Sequence, residues 1–527
     1  MPDPAKAQIG ESDVAFLLNR RHFIAGAAAT AFAAPAILRA QSLFYSYPFA
    51  LGVAAGDPAP DGFVIWTRLA PEPLGEHGGM VMEPMAVTWE VASDEAFRGV
   101  VAHGEAVARP ELGHAVHVEV AGLQPDRLYH YRFRAGGERS INGRARTLPL
   151  AASSPAALRF GVCGCQAYDD GYYTAYRHLA NEELAFVYHY GDYIYQYRGG
   201  ATRRGREGEL IVAVRRSVGQ ELFDLADYRR RYGQYKSDPD LQRAHAAHAF
   251  FHSFDDHEIT DNWVGEAGDD SPADTFRLRR AAALQAWYEH MPVRRAQLPR
   301  FGDVAMHRSA RFGNLLEMDI LDTRQFRSNQ PCDDGFKPAC AEVAAPNAAV
   351  LGAAQEAWLA RNLQRDPARW NCLAQQIMMM SIDRRIHDEP ARIINMDSWA
   401  GYEAPRQRLL ARLRGLDNVV VLTGDEHQNF AGLLHDRDAP VAVEFVATSI
   451  SSGGDGSDLR RGSDRILAEN SQIKFINDQR GYLTCDVTPD EWRTNYMVVD
   501  KVSTPGGSIS KRATASVARG TPALAIA

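Results

Sequence analysis

A β-sandwich followed by a layered α/β domain is the fold class this sequence predicts, and three observations predict it. Residues 49–148 read as short segments alternating apolar and polar positions between turn residues; beyond Pro149, apolar runs alternate with helical patterns; and 527 residues with 45% hydrophobic content exceed what one core holds.

In the first part, residues 63–68, 86–91, 114–120 and 128–134 alternate as half-buried strands do, with Gly56-Asp57-Pro58, Pro125-Asp126 and Gly136-Gly137 as turns. The spacing predicts a sandwich of about 100 residues, placed at 41–150 and carrying no clustered chemistry. In the second part, placed at 151–505, strand 158–162 leads into a loop, 172–183 is helical and 184–190 is again an apolar strand. The alternation recurs as strand 248–254 and helix 276–290, then helix 406–413 and the strongly β-forming 418–423. Such alternation predicts functional loops at the carboxyl ends of the strands. The tail at 506–527, rich in Ser, Thr, Ala and Gly, is expected to be disordered.

Residues 1–40 have a different texture. Arg20-Arg21 precedes an Ala-rich, weakly apolar run at 24–36, the pattern of a twin-arginine export signal. The run falls short of the ~20 residues a membrane span needs, and Pro35 breaks it. The mature protein is therefore expected in the periplasm or secreted, with the twin-arginine machinery as a partner and no stable membrane span. A net charge of -8 with interspersed signs excludes a basic nucleic-acid surface. In an oxidising compartment Cys332 and Cys340, closing a short polar loop, are disulfide candidates. Cys372 and Cys485 sit among apolar neighbours as small hydrophobes. Cys163 and Cys165 flank a single residue, too close for an ordinary bridge.

Each apolar strand of the second domain ends in metal-competent residues. The ends are Cys163-Gly164-Cys165-Gln166, Gly191-Asp192-Tyr193-Ile194-Tyr195, Asp255-Asp256-His257-Glu258 and Gly424-Asp425-Glu426-His427. Separate strands delivering such groups to one sheet edge is how a polynuclear site is built. Asp192 can place one carboxylate oxygen on each of two cations about 3.5–4 Å apart. Tyr195 points to ferric iron, because a phenol with a pKa near 10 ionises at neutral pH only on a strong Lewis acid. Cys165 as thiolate and His427 as imidazole complete a mixed shell, while Asp256 and Asp425 offer hard oxygens that suit calcium. His257 is better suited to the substrate, as general acid or hydrogen-bond donor to the leaving oxygen, while a metal-bound hydroxide attacks phosphorus. Arg324 is either a phosphate clamp or an ion-pair partner of Asp322.

These residues resemble the PhoD-type alkaline phosphatases and phosphodiesterases, whose relatives include phospholipase D-like enzymes. The resemblance runs through the leader, residues 51–58 with Trp66-Thr67-Arg68, then 191–195, 255–258, 322–327, 395–402 and 423–427. It implies a β-sandwich before a metallophosphoesterase domain similar to the purple acid phosphatases, and Fe(III) and Ca(II) as cofactors. Carried over by position, it implies Cys165, Asp192, Tyr195 and His427 on iron, with Asp192, Asp256 and Asp425 toward calcium. Where the family has Ser before the ligand Cys, this chain has Gly164, and the extra Cys163 could compete as thiolate. The function implied is exported hydrolysis of phosphate mono- or diesters, with a phospholipase D-like phosphodiesterase, or a non-catalytic binding protein with structural metals, as alternatives. A structural site would be fully ligated, and six ligands with one bridging are too few to saturate two cations, which favours the enzyme.

Overall fold

A computed structural model describes residues 44–200, 202–204, 210–268, 272–365, 368–416 and 418–527. The export-signal reading of residues 1–40 lies outside the described residues.

Two sheets, packed face to face, carry the molecule. In the first, the parallel strands Leu158–Cys163, Val187–His189 and Ala249–His252 lie side by side. In the second, Leu316–Ile320, Trp370–Ala374, Val419–Thr423 and Ala439–Val446 are parallel. Side chains alternate between faces along a strand, and this alternation builds the layers. Val162, Tyr188 and Phe251 meet Met318, Cys372 and Leu422 between the sheets. Their neighbours Cys163, Val187 and Phe250 face outward against Tyr176, Tyr232 and Trp287 of the helices Thr174–Leu179, Leu225–Lys236 and Ala273–His290. On the far side Leu373 and Val421 meet Leu359 and Leu410 of the helices Gly352–Gln364 and Glu403–Leu413. Both faces of each strand are covered, so these strands read as continuous apolar runs.

The N-terminal segment does not close on itself. Strands Met85–Ala92, Val100–Ala108 and Leu128–Ala135 form a separate sheet whose Val87, Val91, Tyr131 and Phe133 pack on Phe63, Ile65 and Val116. The strands opposite, Val53–Ala59, Gly62–Arg68 and Ala115–Val120, extend the first large sheet, with Ala55 paired to Ala249 and Gly56 to Phe250. Gly56-Asp57-Pro58, expected as a turn, is therefore an irregularity inside a strand. A Cβ on residue 56 would lie 2.1 Å from the Pro292 carbonyl oxygen, and the Asp57 carboxylate accepts the Arg308 guanidinium at 2.8 and 3.0 Å.

The tail expectation is also corrected. Ile509–Ala518 is a strand paired with Glu491–Val499. Its Ala513, Ala515 and Val517 alternate inward, beside Trp492 and Tyr496 in the inter-sheet core, while Ser and Thr face out. Small residues at alternate positions make a strand here despite the low-complexity composition.

The outer layer also carries an acid-sensitive element. His248, 2% exposed, faces the Leu179 carbonyl at 3.1 Å, and burial pushes its pKa down to about 4. Folded, it is neutral; unfolded, it binds a proton near pH 6.5. The unfolded state thus holds more protons below about pH 6.5, and stability falls from there toward pH 4 by up to about 3 kcal/mol from this residue. Urea unfolding at pH 7 and 4.5 should show His248→Asn losing less stability on acidification than the wild type; equal losses would contradict this account.

Candidate metal centre

The strand ends turn sharply, and the backbone is bent where the predicted ligands sit. Cys165, Asp192, Asp425 and His427 have φ of 51°, 55°, 67° and 53°, left-handed values that non-glycine residues rarely adopt and that gather at functional sites. The Asp192 loop is held from below by Glu258. Its carboxylate accepts the backbone N–H groups of Asp192, Tyr193 and Asp255 at 3.0, 2.7 and 3.0 Å. Gly191, at φ 134°, allows the close approach, since a Cβ there would meet the Asp255 nitrogen at 2.5 Å.

Around Asp192 the predicted groups come together. Cys165 Sγ donates to Asp192 Oδ2 at 3.3 Å and Tyr195 Oη donates to the same oxygen at 3.0 Å; Tyr195 Oη also lies 3.2 Å from His427 Nε2. Ligand atoms of Cys165, Asp192 and His427 lie within 4.8 Å of one another, as do those of Asp192, Asp256 and His257, and those of Asp255, Asp256 and Asp425. Asp192 and Asp256 each belong to two of these groups. Asp425 and His427 are only partly buried, so the cluster opens to solvent on their side.

Electrostatics shows what the cluster is suited to hold. Burial, then the charges of Asp256, Asp255, Glu258 and Asp425, push the Asp192 carboxyl well above its ordinary range. Burial raises Asp255 to about 6 against the pull of Arg324, and raises Glu258 to about 8 against its three N–H donors. Asp256 alone is held low, burial being outweighed by His257, Arg324 and the Asn262 N–H. Buried carboxylates repelling one another at this density call for cations. A thiol, a phenol and an imidazole on one side and carboxylate oxygens on the other fit one transition metal and one oxygen-preferring ion.

His257 sits beside this cluster. Its ring stacks on Tyr195 at 4.2 Å, Nδ1 faces Gln196 Oε1 at 2.9 Å, and Nε2 lies 3.8 Å from Asp256 and 3.7 Å from Asp261. Cys163 points away, its thiol 3.9 Å from Tyr176 Oη in the helix-facing core, where burial pushes its pKa up to about 12. Cys332 and Cys340 are joined by a disulfide. Asn262 donates Nδ2 to Asp334 at 2.7 Å, a loop contact.

Arg324 requires a correction. Its side chain is fully buried, with Nε on Asp255 at 2.5 Å, Nη1 on Asp397 at 3.1 Å and Nη2 on Asp256 at 3.2 Å and Asp397 at 2.9 Å. A guanidinium enclosed by three carboxylates cannot clamp a phosphate, and Asp322 meets only the Arg324 backbone N–H. Arg324 instead neutralises part of the acidic cluster. Sequence reading missed its partner Asp397, although Asp397 lies within the motif at 395–402. It placed Glu258 in the third strand-end cluster but gave it no role, and it missed Ser452, which no motif signals. Ser452 Oγ is 2.7 Å from both Tyr195 Oη and the Cys165 carbonyl, joining two predicted ligands.

Gly164 has a steric reason. A Cβ on residue 164 would lie 2.4 Å from the Tyr190 ring, and one on Gly424 2.2 Å from the same ring. Tyr190 is wedged between the two loops and donates to the Thr448 carbonyl at 2.9 Å. Gly164→Ser should cost about 1–3 kcal/mol, measured by thermal melting, and adding Tyr190→Val should recover part of it; a Gly164→Ser protein as stable as the wild type would remove this explanation.

Family models match the chain in two parts: the PhoD-like phosphatase N-terminal domain over residues 33–149 and the PhoD-like phosphatase domain over residues 160–496. The chain is 44% identical over 513 residues to alkaline phosphatase D of Bacillus subtilis (strain 168), covering 94% of this chain and 87% of that protein. The solved structure of PhoD matches with TM-score 0.88 at 44% identity over 92% of each chain. A purple acid phosphatase from yellow lupin (Lupinus luteus) seeds matches in fold, with TM-score 0.53 at 11% identity over 89% of this chain and 74% of that one. With both family models in register and a relative of such identity along nearly its whole length, this chain belongs to the PhoD-like phosphatases, a family of phosphate-ester hydrolases.

Proposed function

We propose that this chain is an exported alkaline phosphatase or phosphodiesterase that works with Fe(III) held by Cys165, Asp192, Tyr195 and His427 and Ca(II) held by Asp192, Asp256 and Asp425. One observation carries the reading: the Tyr195 phenol and the Cys165 thiol converge on one oxygen of Asp192, whose other oxygen accepts from the His257 backbone N–H, and Asp192 also groups with Asp256 and His257. When bound, the two cations supply Lewis acidity that activates water and offsets charge on the phosphoryl oxygens. Export is supported by Arg20-Arg21 before the apolar run and by the Cys332–Cys340 disulfide, which suits an oxidising compartment. Among the described residues no helix is long and apolar enough to cross a membrane.

The chain's own residues handle orientation and the proton. The Gln196 carbonyl accepts from His257 Nδ1–H, which places the exchangeable proton at Nε2. Stacking on Tyr195 fixes the ring, so the imidazolium form presents Nε2–H to a leaving oxygen and the neutral form can take a proton back. Glu258 keeps Asp192 and Asp255 in register beneath it.

Protein purified through its own export route should contain iron and calcium and show a visible tyrosinate-to-ferric absorption band. Tyr195→Phe should bleach the band while leaving the fold intact. An active, colourless, iron-free wild-type protein would overturn the metal assignment.

A further inference from the structure

We infer that Ser452 is a positioning residue of the metal centre, its hydroxyl donating to the Tyr195 oxygen and tying that ligand to the strand end that carries Cys165. The inference rests on the metal reading above. Ser452 is 1% exposed, and its hydroxyl has three partners: the Ala167 N–H donates to it at 3.0 Å, and the Cys165 carbonyl and Tyr195 Oη each lie 2.7 Å away. A serine hydroxyl carries one hydrogen, so it serves one of these two acceptors at a time. The Cys165 carbonyl is already supplied, accepting the Ser452 backbone N–H at 3.3 Å. Tyr195 Oη directs its own hydrogen to Asp192 Oδ2 at 3.0 Å, which leaves its lone pairs to the Ser452 hydrogen. When the phenol oxygen is ionised on a cation its claim on that hydrogen grows, because hydrogen bonds to charged acceptors are roughly twice as strong as neutral ones.

The surroundings hold Ser452 in this place without help from Tyr195. Its carbonyl accepts from Ser449 Oγ and from Arg480 Nη1, each at 2.7 Å, and Arg480 is itself buried. The Ile450 N–H donates to the Gly164 carbonyl at 3.0 Å and Ser451 Oγ to the Ala167 carbonyl at 2.8 Å. Residues 449–452 are thus clasped to residues 164–167, and the hydroxyl is delivered at a fixed point. The Tyr195 ring, stacked on His257 at 4.2 Å, meets it there. A hydrogen bond to a ligand atom from outside the ligand set orients that ligand and sets how strongly it donates.

Spectroscopy of the metal-loaded full chain tests this apart from activity. Ser452→Ala should bind iron about tenfold more weakly in competition with a chelator. It should also move the tyrosinate-to-ferric band to longer wavelength, since an oxygen relieved of a hydrogen bond gives up electron density more readily. Ser451→Ala removes a buried hydrogen bond to the same loop that does not involve Tyr195, and should leave the band in place. In resonance Raman spectra the tyrosinate C–O stretch of the wild type should shift in heavy water, and that of Ser452→Ala should not. A band unmoved by Ser452→Ala, or moved as far by Ser451→Ala, would overturn the inference. Should Ser452→Ala fail to fold, the wild-type stretch decides: insensitivity to heavy water would overturn the inference and sensitivity would uphold it. A colourless, iron-free wild type would overturn the metal reading itself, and is told apart because every other arm starts from a coloured wild type.

Discussion

Asp192→Asn is expected to lower phosphate-ester turnover by at least about a thousandfold, a loss of about 4 kcal/mol of transition-state stabilisation, while leaving the metal-free protein no less stable than the wild type. The two halves of this expectation have one cause. Asp192 Oδ2 faces the Cys165 thiol and the Tyr195 phenol, and Oδ1 accepts from the His257 backbone N–H. An asparagine keeps the shape and one acceptor oxygen but cannot present an anionic oxygen to each of two cations. Without cations, its charge is a burden, because burial and four neighbouring carboxylates already oppose ionisation. Removing it relieves the apoprotein and disables the loaded one. Steady-state kinetics with elemental analysis, beside melting of chelator-treated protein, gives both readings. Turnover within tenfold of wild type at full metal content would sink the shared-ligand proposal.

The features that could be read from sequence are those where local pattern and tertiary environment coincide. Strand ends carrying Cys165, Asp192, Asp256 and His427 stand out because an apolar run covered on both faces stops abruptly at polar groups. The helix expected at 276–290 is found as Ala273–His290. What failed were features decided by distant partners. Gly56-Asp57-Pro58 looks like a turn by composition, yet Ala249–His252 and Arg308 hold it in a sheet. The strand Ile509–Ala518 looks like a flexible tail because Ala and Ser carry little apolar signal, although Trp492 and Tyr496 give its small side chains a surface to pack on. Arg324 was misread because an arginine in an acidic site serves substrate or scaffold equally well in sequence, and only the three carboxylates around it decide. Ser452 was invisible for the same reason: its partners Tyr195 and Cys165 lie more than 250 positions away.

The largest stability effect is expected from Arg324→Met. Arg324 has no exposed side-chain surface and is the shared partner of Asp255, Asp256 and Asp397, of which Asp397 is also held by Arg327 at 2.5 Å. Removing one member of a buried ion cluster strands the rest and typically costs about 3–5 kcal/mol, here with Asp255 and Asp256 left facing each other. The pKa pattern gives the direction: Asp255 is already raised to about 6 with Arg324 beside it, so loss of the guanidinium pushes it higher. Chemical denaturation should therefore show a large destabilisation. Arg324→Met combined with Asp397→Asn should be less destabilised than the sum of the two single changes, because the second substitution removes one stranded charge. A phosphate clamp would behave oppositely, with a raised KM for the ester, near-normal stability and no rescue from Asp397→Asn. That outcome would return Arg324 to the substrate and leave the acidic cluster to be neutralised by the metals.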